Sequence, residues 1–180
     1  MRTPYDVATG IVDGIWGDRG LPVDPEYLCK NILITRSASG VTTKHQIRVE
    51  HIDLIDDTDD NGNTLSGCAL FDDKTDQFVV KYNPTESPTR QRFTIAHELG
   101  HVVLGHVKPG HPKKDRALVY DKMDKDEIAA NQFAAEIVIP HKLLKEYVYE
   151  EGFYRAADLA RLFGVSEQAM YFRMKNLGIL

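Results

Sequence analysis

The chain has 180 residues, 42% apolar and 27% charged, which excludes wholesale disorder and suits one compact domain with at most a small appendage. Its 22 Lys and Arg face 27 Asp and Glu, a net charge of −5. That is the wrong sign for a protein whose main task is gripping phosphate backbones. Apolar runs such as Phe78-Val79-Val80 fall far short of a bilayer span of about 20 residues. The start, Met1-Arg2-Thr3-Pro4-Tyr5-Asp6, lacks the apolar core of a secretory signal. Cys29 and Cys68 stand in no C-x-x-C spacing and read as small core thiols in a reducing compartment. A cytoplasmic protein with no membrane partner is expected.

In chain order, Val7, Ile11, Ile15 and Trp16 recur at helical spacing, so one helix is expected from Pro4 to Trp16. A short second helix follows, with Asp24 as N-cap and Pro25 in its first turn. Ile47 and Val49 alternate with Gln46, Arg48 and Glu50, the pattern of a half-buried strand. Residues 67–71 and 77–82 are two more strands, joined by the polar turn Asp72-Asp73-Lys74-Thr75-Asp76. Ser87-Pro88 opens a helix that carries Phe93 to Leu104. A Pro-, Gly-, His- and Lys-rich loop is expected from Val107 to about Arg116. Another helix begins near Asp124 and stops before Pro140, and the remainder is helical.

His97-Glu98-Leu99-Gly100-His101 is H-E-x-x-H on a helix. Four residues advance a helix by about one turn plus 40°, so His97 and His101 share a face and can bind one zinc ion. Glu98 lies roughly 100° round, where it can take the proton of zinc-bound water. Gly100 thins the helix beside the metal and lets another segment approach.

Such a site needs a third protein ligand. The extended metzincin pattern fails, because Leu104 and Val107 stand where Gly and His are required. His106 is expected at the helix C-terminus rather than on the metal. In the downstream helix Glu127 and Asn131 share a face, with Ala130 and Ala134 permitting close approach. Glu127 can ligate zinc, and Asn131 can accept the ring N–H of a ligand histidine. Glu127 can equally be an ordinary first-turn glutamate. Glu136, nine residues on, projects from the other side.

The blocks 90–101 (Arg90-Gln91-Arg92-Phe93-Thr94-Ile95-Ala96-His97-Glu98-Leu99-Gly100-His101) and 127–140 resemble the signature of the ImmA/IrrE family of metallopeptidases. The resemblance covers about the last two-thirds of the chain. It implies a gluzincin-like site with His97, His101 and Glu127 as ligands of one Zn2+ and Glu98 as general base and acid. It also implies a protein substrate, a helix-turn-helix repressor of the Xre type, in phage, mobile-element or stress-response circuits of bacteria. The fold expected is α+β: a small antiparallel sheet packed with helices, a zincin-like H-E-x-x-H helix and a C-terminal helix-turn-helix-like pair. Residues 1–150 would form the metallopeptidase domain and 151–180 an appendage packed on it. The strand Gly67-Cys68-Ala69-Leu70-Phe71 is the expected edge for an extended substrate.

Two further features carry less. Asp57-Thr58-Asp59-Asp60-Asn61-Gly62 matches half of a calcium loop, but Cys68 stands where the bidentate Glu is required, so it reads as an acidic turn. Residues 157–174 read as helix, tight turn at Gly164, and a second helix capped by Ser166. From Tyr154 to Leu180, Arg155, Arg161, Arg173 and Lys175 face Asp158 and Glu167, too little positive charge for groove binding. No nucleic-acid partner is expected. The competing reading is a non-proteolytic regulator, sequestering a repressor or touching DNA through these helices, with a structural zinc.

Overall fold

The computed structural model describes residues 2–59, 61–110, 124–153 and 155–180. The loop expected after Val107 lies outside the described residues from position 111 onward, as does Asp60 of the acidic turn.

Helix α1, Pro4–Ile11, starts at a reciprocal cap: Thr3 Oγ1 accepts from the Asp6 amide, and the Asp6 carboxylate accepts from the Thr3 amide. The expected single helix to Trp16 does not continue regularly. Residues Val12–Trp16 form a π-helical turn closed by Gly17 N–H donating to Val12 O at 2.9 Å. The wider turn places Trp16 in the core, with its indole N–H on Gly20 O at 2.8 Å. Helix α2, Pro25–Asn31, begins on Asp24, whose side chain accepts from the Glu26 amide.

Four strands follow: β1 Leu33–Ala38, β2 Val41–His51, β3 Gly67–Asp72 and β4 Gln77–Tyr82. Ser39 and Gly40, both at positive φ, close the β1–β2 hairpin as a type I′ turn requires. The sheet order is β1-β2-β4-β3, and the sheet is mixed. This corrects the expected antiparallel sheet, since β2 and β4 run parallel, with Ile47 opposite Phe78. The cause is topological. The chain leaves β2, places β3 one position beyond its neighbour, and turns back through residues 73–76 so that β4 fills the gap in the direction of β2.

Alternation along the strands gives the sheet two distinct faces. Ile47, Ala69, Phe71, Phe78 and Val80 belong to the main core with Ile95, Ala96, Leu99 and Val102 of α3 (Pro88–Val103). Lys81 points the other way and pairs with buried Asp57 at 3.0 Å. In the acidic turn, Asp59 accepts from the amides of Asn61 and Asn63, so it caps its own loop.

Helix α4, Lys125–Val138, crosses α3 and adds Phe133, Ala134 and Ile137 to the core. It is followed by α5 His141–Tyr149, α6 Ala156–Phe163 and α7 Glu167–Asn176. Gly164 is left-handed at φ 64° and Ser166 caps α7 by accepting from the Ala169 amide. Leu159, Phe163, Met170 and Met174 join the same core. A Cβ on Gly164 would lie 3.1 Å from Pro22 Cβ, so this turn packs directly on the N-terminal part. No helix among the described residues is long and apolar enough to cross a membrane.

Candidate metal centre

Helix α3 starts where its sequence says it should. Ser87 Oγ accepts from the Arg90 amide and Pro88 occupies the first turn. That phase turns one side of the helix, Ile95, Leu99 and Val102, into the core, and aims His97 and His101 at α4. His97 Nε2 and His101 Nε2 lie 3.1 Å apart. Glu127, in the first turn of α4, places Oε2 3.2 Å from His97 Nε2 and Oε1 3.2 Å from His101 Nε2. These three side chains form the one cluster among the described residues with donor atoms close enough to hold a metal.

The geometry fits a small ion. Bonds of about 2.0–2.1 Å at tetrahedral angles keep donors about 3.3–3.4 Å apart. The observed triangle needs to open by only a few tenths of an ångström. The two helices can bring the donors this close because of what faces what at their crossing. A Cβ on Gly100 would lie 3.1 Å from Phe133 Cδ1 and 3.3 Å from Ala130 Cα, so glycine lets α4 approach closer here than a residue with a Cβ would.

The outer partners fix ring orientation. His97 Nδ1 sits 3.1 Å from Asn131 Oδ1. An amide oxygen only accepts, so Nδ1 carries the proton and Nε2 presents its lone pair to the triangle. His101 Nδ1 faces His106 Nδ1 at 3.0 Å, and His106 Nε2 is 3.6 Å from Asp126 Oδ1. The sequence reading placed His106 at the helix end and gave it no part in the site. Its offset of five from His101, just past a helix-ending Gly105, was the available signal.

Glu98 is 2% exposed, next to His97 in α3. The first residue of β3 packs over it: a Cβ on Gly67 would lie 3.4 Å from Glu98 Cγ, 2.4 Å from Thr94 Cγ2 and 2.7 Å from Lys81 O. Strand β3, which carries Gly67, Cys68, Ala69, Leu70 and Phe71, stands at an edge of the sheet. Its side chains are mostly buried.

Glu136 is also buried, at 1% exposure, but away from the triangle. It accepts from Thr9 Oγ1 at 3.0 Å, from His141 Nδ1 at 2.7 Å and from the Arg173 guanidinium. Arg173 donates in addition to Ile139 O and is 5% exposed, so it cannot serve as a phosphate contact. The sequence counted it among the surface charges of the last helix pair. The structure makes it the internal partner of Glu136.

The sequence that carries this site matches a known family. The model of the Peptidase M78 family, the IrrE N-terminal-like domain, matches residues 56–175. The chain belongs to this family, the ImmA/IrrE family. It is 30% identical over 118 residues to metallopeptidase ImmA of Bacillus subtilis (strain 168), covering 63% of this chain and 64% of that protein. It is 30% identical over 102 residues to uncharacterized immunity region protein 2 of Bacillus phage phi105, covering 56% of this chain and 61% of that protein. The chain thus spans a little under two thirds of the length of each of these curated relatives.

Proposed function

We propose that the chain is a cytoplasmic zinc metalloendopeptidase that cleaves an Xre-type helix-turn-helix repressor in a phage, mobile-element or stress-response circuit. The observation that carries this reading is the convergence of His97, His101 and Glu127 donors at 3.1–3.2 Å, with Glu98 buried at the next position of the same helix. Three donors with no fourth in the cluster, among the described residues, is the number found in catalytic rather than structural zinc sites. A bound zinc ion would supply Lewis-acid activation of water and of a peptide carbonyl.

The chain's own residues do the rest. His97, His101 and Glu127 hold the ion. Glu98 accepts a proton from the attacking water and returns it to the leaving amine. Burial under Gly67 keeps the Glu98 side chain in one place and limits access of bulk water. The β3 edge offers main-chain hydrogen bonds to an extended substrate segment, as in strand addition. Main-chain pairing sets little sequence preference, so selectivity comes from docking elsewhere, on residues 1–60 or on the C-terminal helices. In this reading residues 1–150 form the zincin-like peptidase domain. Residues 151–180, a helix-turn-helix-like pair, support it or dock the partner.

One observation favours this over a DNA-contacting regulator: Arg173 is internal. The test is coexpression with the repressor encoded beside the gene, comparing wild type, Glu98→Gln and His97→Ala. Cleavage by wild type alone, with zinc retained in Glu98→Gln and lost in His97→Ala, is the expected outcome. Equal cleavage by Glu98→Gln refutes the role given to Glu98, and rapid cleavage of unrelated unfolded proteins refutes the docking argument.

A further inference from the structure

We infer that His106 is a positioning residue for the metal centre, holding the imidazole of His101 through its outer nitrogen; the inference rests on the metal-binding reading above. The two histidines of the triangle are steadied in different ways. His97 leans on an amide from the facing helix, at Asn131. His101 meets a third imidazole instead, Nδ1 to Nδ1 at 3.0 Å.

The backbone builds this contact. Helix α3 ends at Val103, and Gly105, at φ 81°, reverses the chain. That conformation is strained for any residue with a Cβ. The reversal lets the His106 amide donate to His101 O at 2.9 Å. His106 is therefore tied to His101 twice, once by main chain and once by ring. The rings meet edge-on, with centroids 5.1 Å apart and planes at 68°. Both side chains are shielded, at 6% exposure for His101 and 13% for His106.

The proton positions follow from the donor inventory. His101 turns Nε2 toward the triangle, where a lone pair is needed, so its proton is on Nδ1. His106 Nδ1, 3.0 Å away, must accept that proton's hydrogen bond. The His106 proton is then on Nε2, which faces Asp126 Oδ1 at 3.6 Å. That distance is too long for a direct hydrogen bond. It is close enough for the carboxylate to favour the tautomer with Nε2–H. Asp126 immediately precedes Glu127 in α4. The chain His101, His106, Asp126 therefore joins the ligand on α3 to the ligand on α4 by a route outside the triangle. Such outer partners raise ligand basicity and fix ring angle, and losing one costs about 10–100-fold in metal affinity.

The experiment uses the full chain and reads three quantities: zinc affinity by chelator competition, the absorption spectrum of the cobalt(II) form, and the melting temperature without metal. The variants are His106→Leu, His106→Asn and Asp126→Asn, with His101→Ala as reference. The Asn amide oxygen falls where His106 Nδ1 stands, so it can still accept from His101. His106→Leu should bind zinc about 10–100-fold more weakly. His106→Asn should recover most of that loss, and Asp126→Asn should show a smaller one. All three should keep the parent's cobalt band pattern, unlike His101→Ala. Zinc affinity of His106→Leu within twofold of the parent overturns the inference. So does His106→Asn binding no better than His106→Leu, which reduces His106 to a filler of space. A His106→Leu spectrum matching His101→Ala, or two zinc ions per parent chain, makes His106 a ligand and overturns it equally. If the parent binds zinc no better than His101→Ala, the metal-centre reading itself has failed, an outcome separate from all of these.

Discussion

Gly100→Ala separates the packing of α3 on α4 from the spacing of the metal donors. The added methyl would stand 3.1 Å from Phe133 Cδ1, 3.3 Å from Ala130 Cα and 3.4 Å from Ala130 O. Carbon atoms settle at about 3.5–4.0 Å, so α4 must withdraw by about 0.3–0.6 Å. Two opposing terms act on stability. Overpacking costs about 1–3 kcal/mol, while replacing a helical glycine by alanine returns up to about 1 kcal/mol. The net loss without metal is modest, about 0–3 kcal/mol. The effect on metal is of another kind. Both histidines ride on α3 and only Glu127 rides on α4, so withdrawal displaces one donor of three. Metal bonds tolerate about 0.2 Å, less than the displacement. Zinc affinity should fall about tenfold, equivalent to about 1.4 kcal/mol. Urea unfolding of the metal-free protein and chelator competition on the same samples give the two numbers. Zinc affinity within twofold of wild type would refute the claim that the Gly100 contact sets the position of Glu127.

Gly67→Ala should destabilise by about 1–3 kcal/mol in urea unfolding. Adding Thr94→Ala should relieve only part of this, because Lys81 O would remain 2.7 Å from the new methyl. Glu136→Ala should cost about 3–5 kcal/mol by stranding the buried Arg173 guanidinium, yet leave zinc content unchanged, which denaturation and metal analysis of one preparation will check. Burial pushes the Cys29 thiol well above the usual thiol range. Iodoacetamide at mildly alkaline pH should therefore modify Cys29 only when the chain is unfolded, as peptide mapping would show.

The elements that announce themselves locally were legible. Ser87-Pro88 fixes where α3 begins, and with it the phase that puts His97 and His101 on one face. Spacing of four paired Glu127 with Asn131, and the structure places both at the histidines. Strand β1 left no such trace. It lies at the sheet edge with Leu33 more than half exposed, so its residues show no apolar alternation. The parallel pairing of β2 with β4 depends on where β3 lands, which no local pattern encodes. The contact of His106 with Asp126 joins residues twenty apart in the chain, and the role of Arg173 needs a partner 37 residues away. Periodicity tells which side of an element is buried but not against whom.

The Glu136–Arg173 link sets a clock on synthesis. Helix α4, which carries Glu127, contains a carboxylate whose guanidinium partner does not exist until residue 173 is made, leaving only Thr9 and His141 to meet it. Translation proceeds at about 5–20 residues per second, so the 37 positions from Glu136 to Arg173 impose a wait of about two to seven seconds. During that interval the nascent chain can bury α3 against the sheet, all of which precedes it, but cannot close α4 over the two histidines at full strength. Here the last helix must arrive before the helix bearing Glu127 is secured.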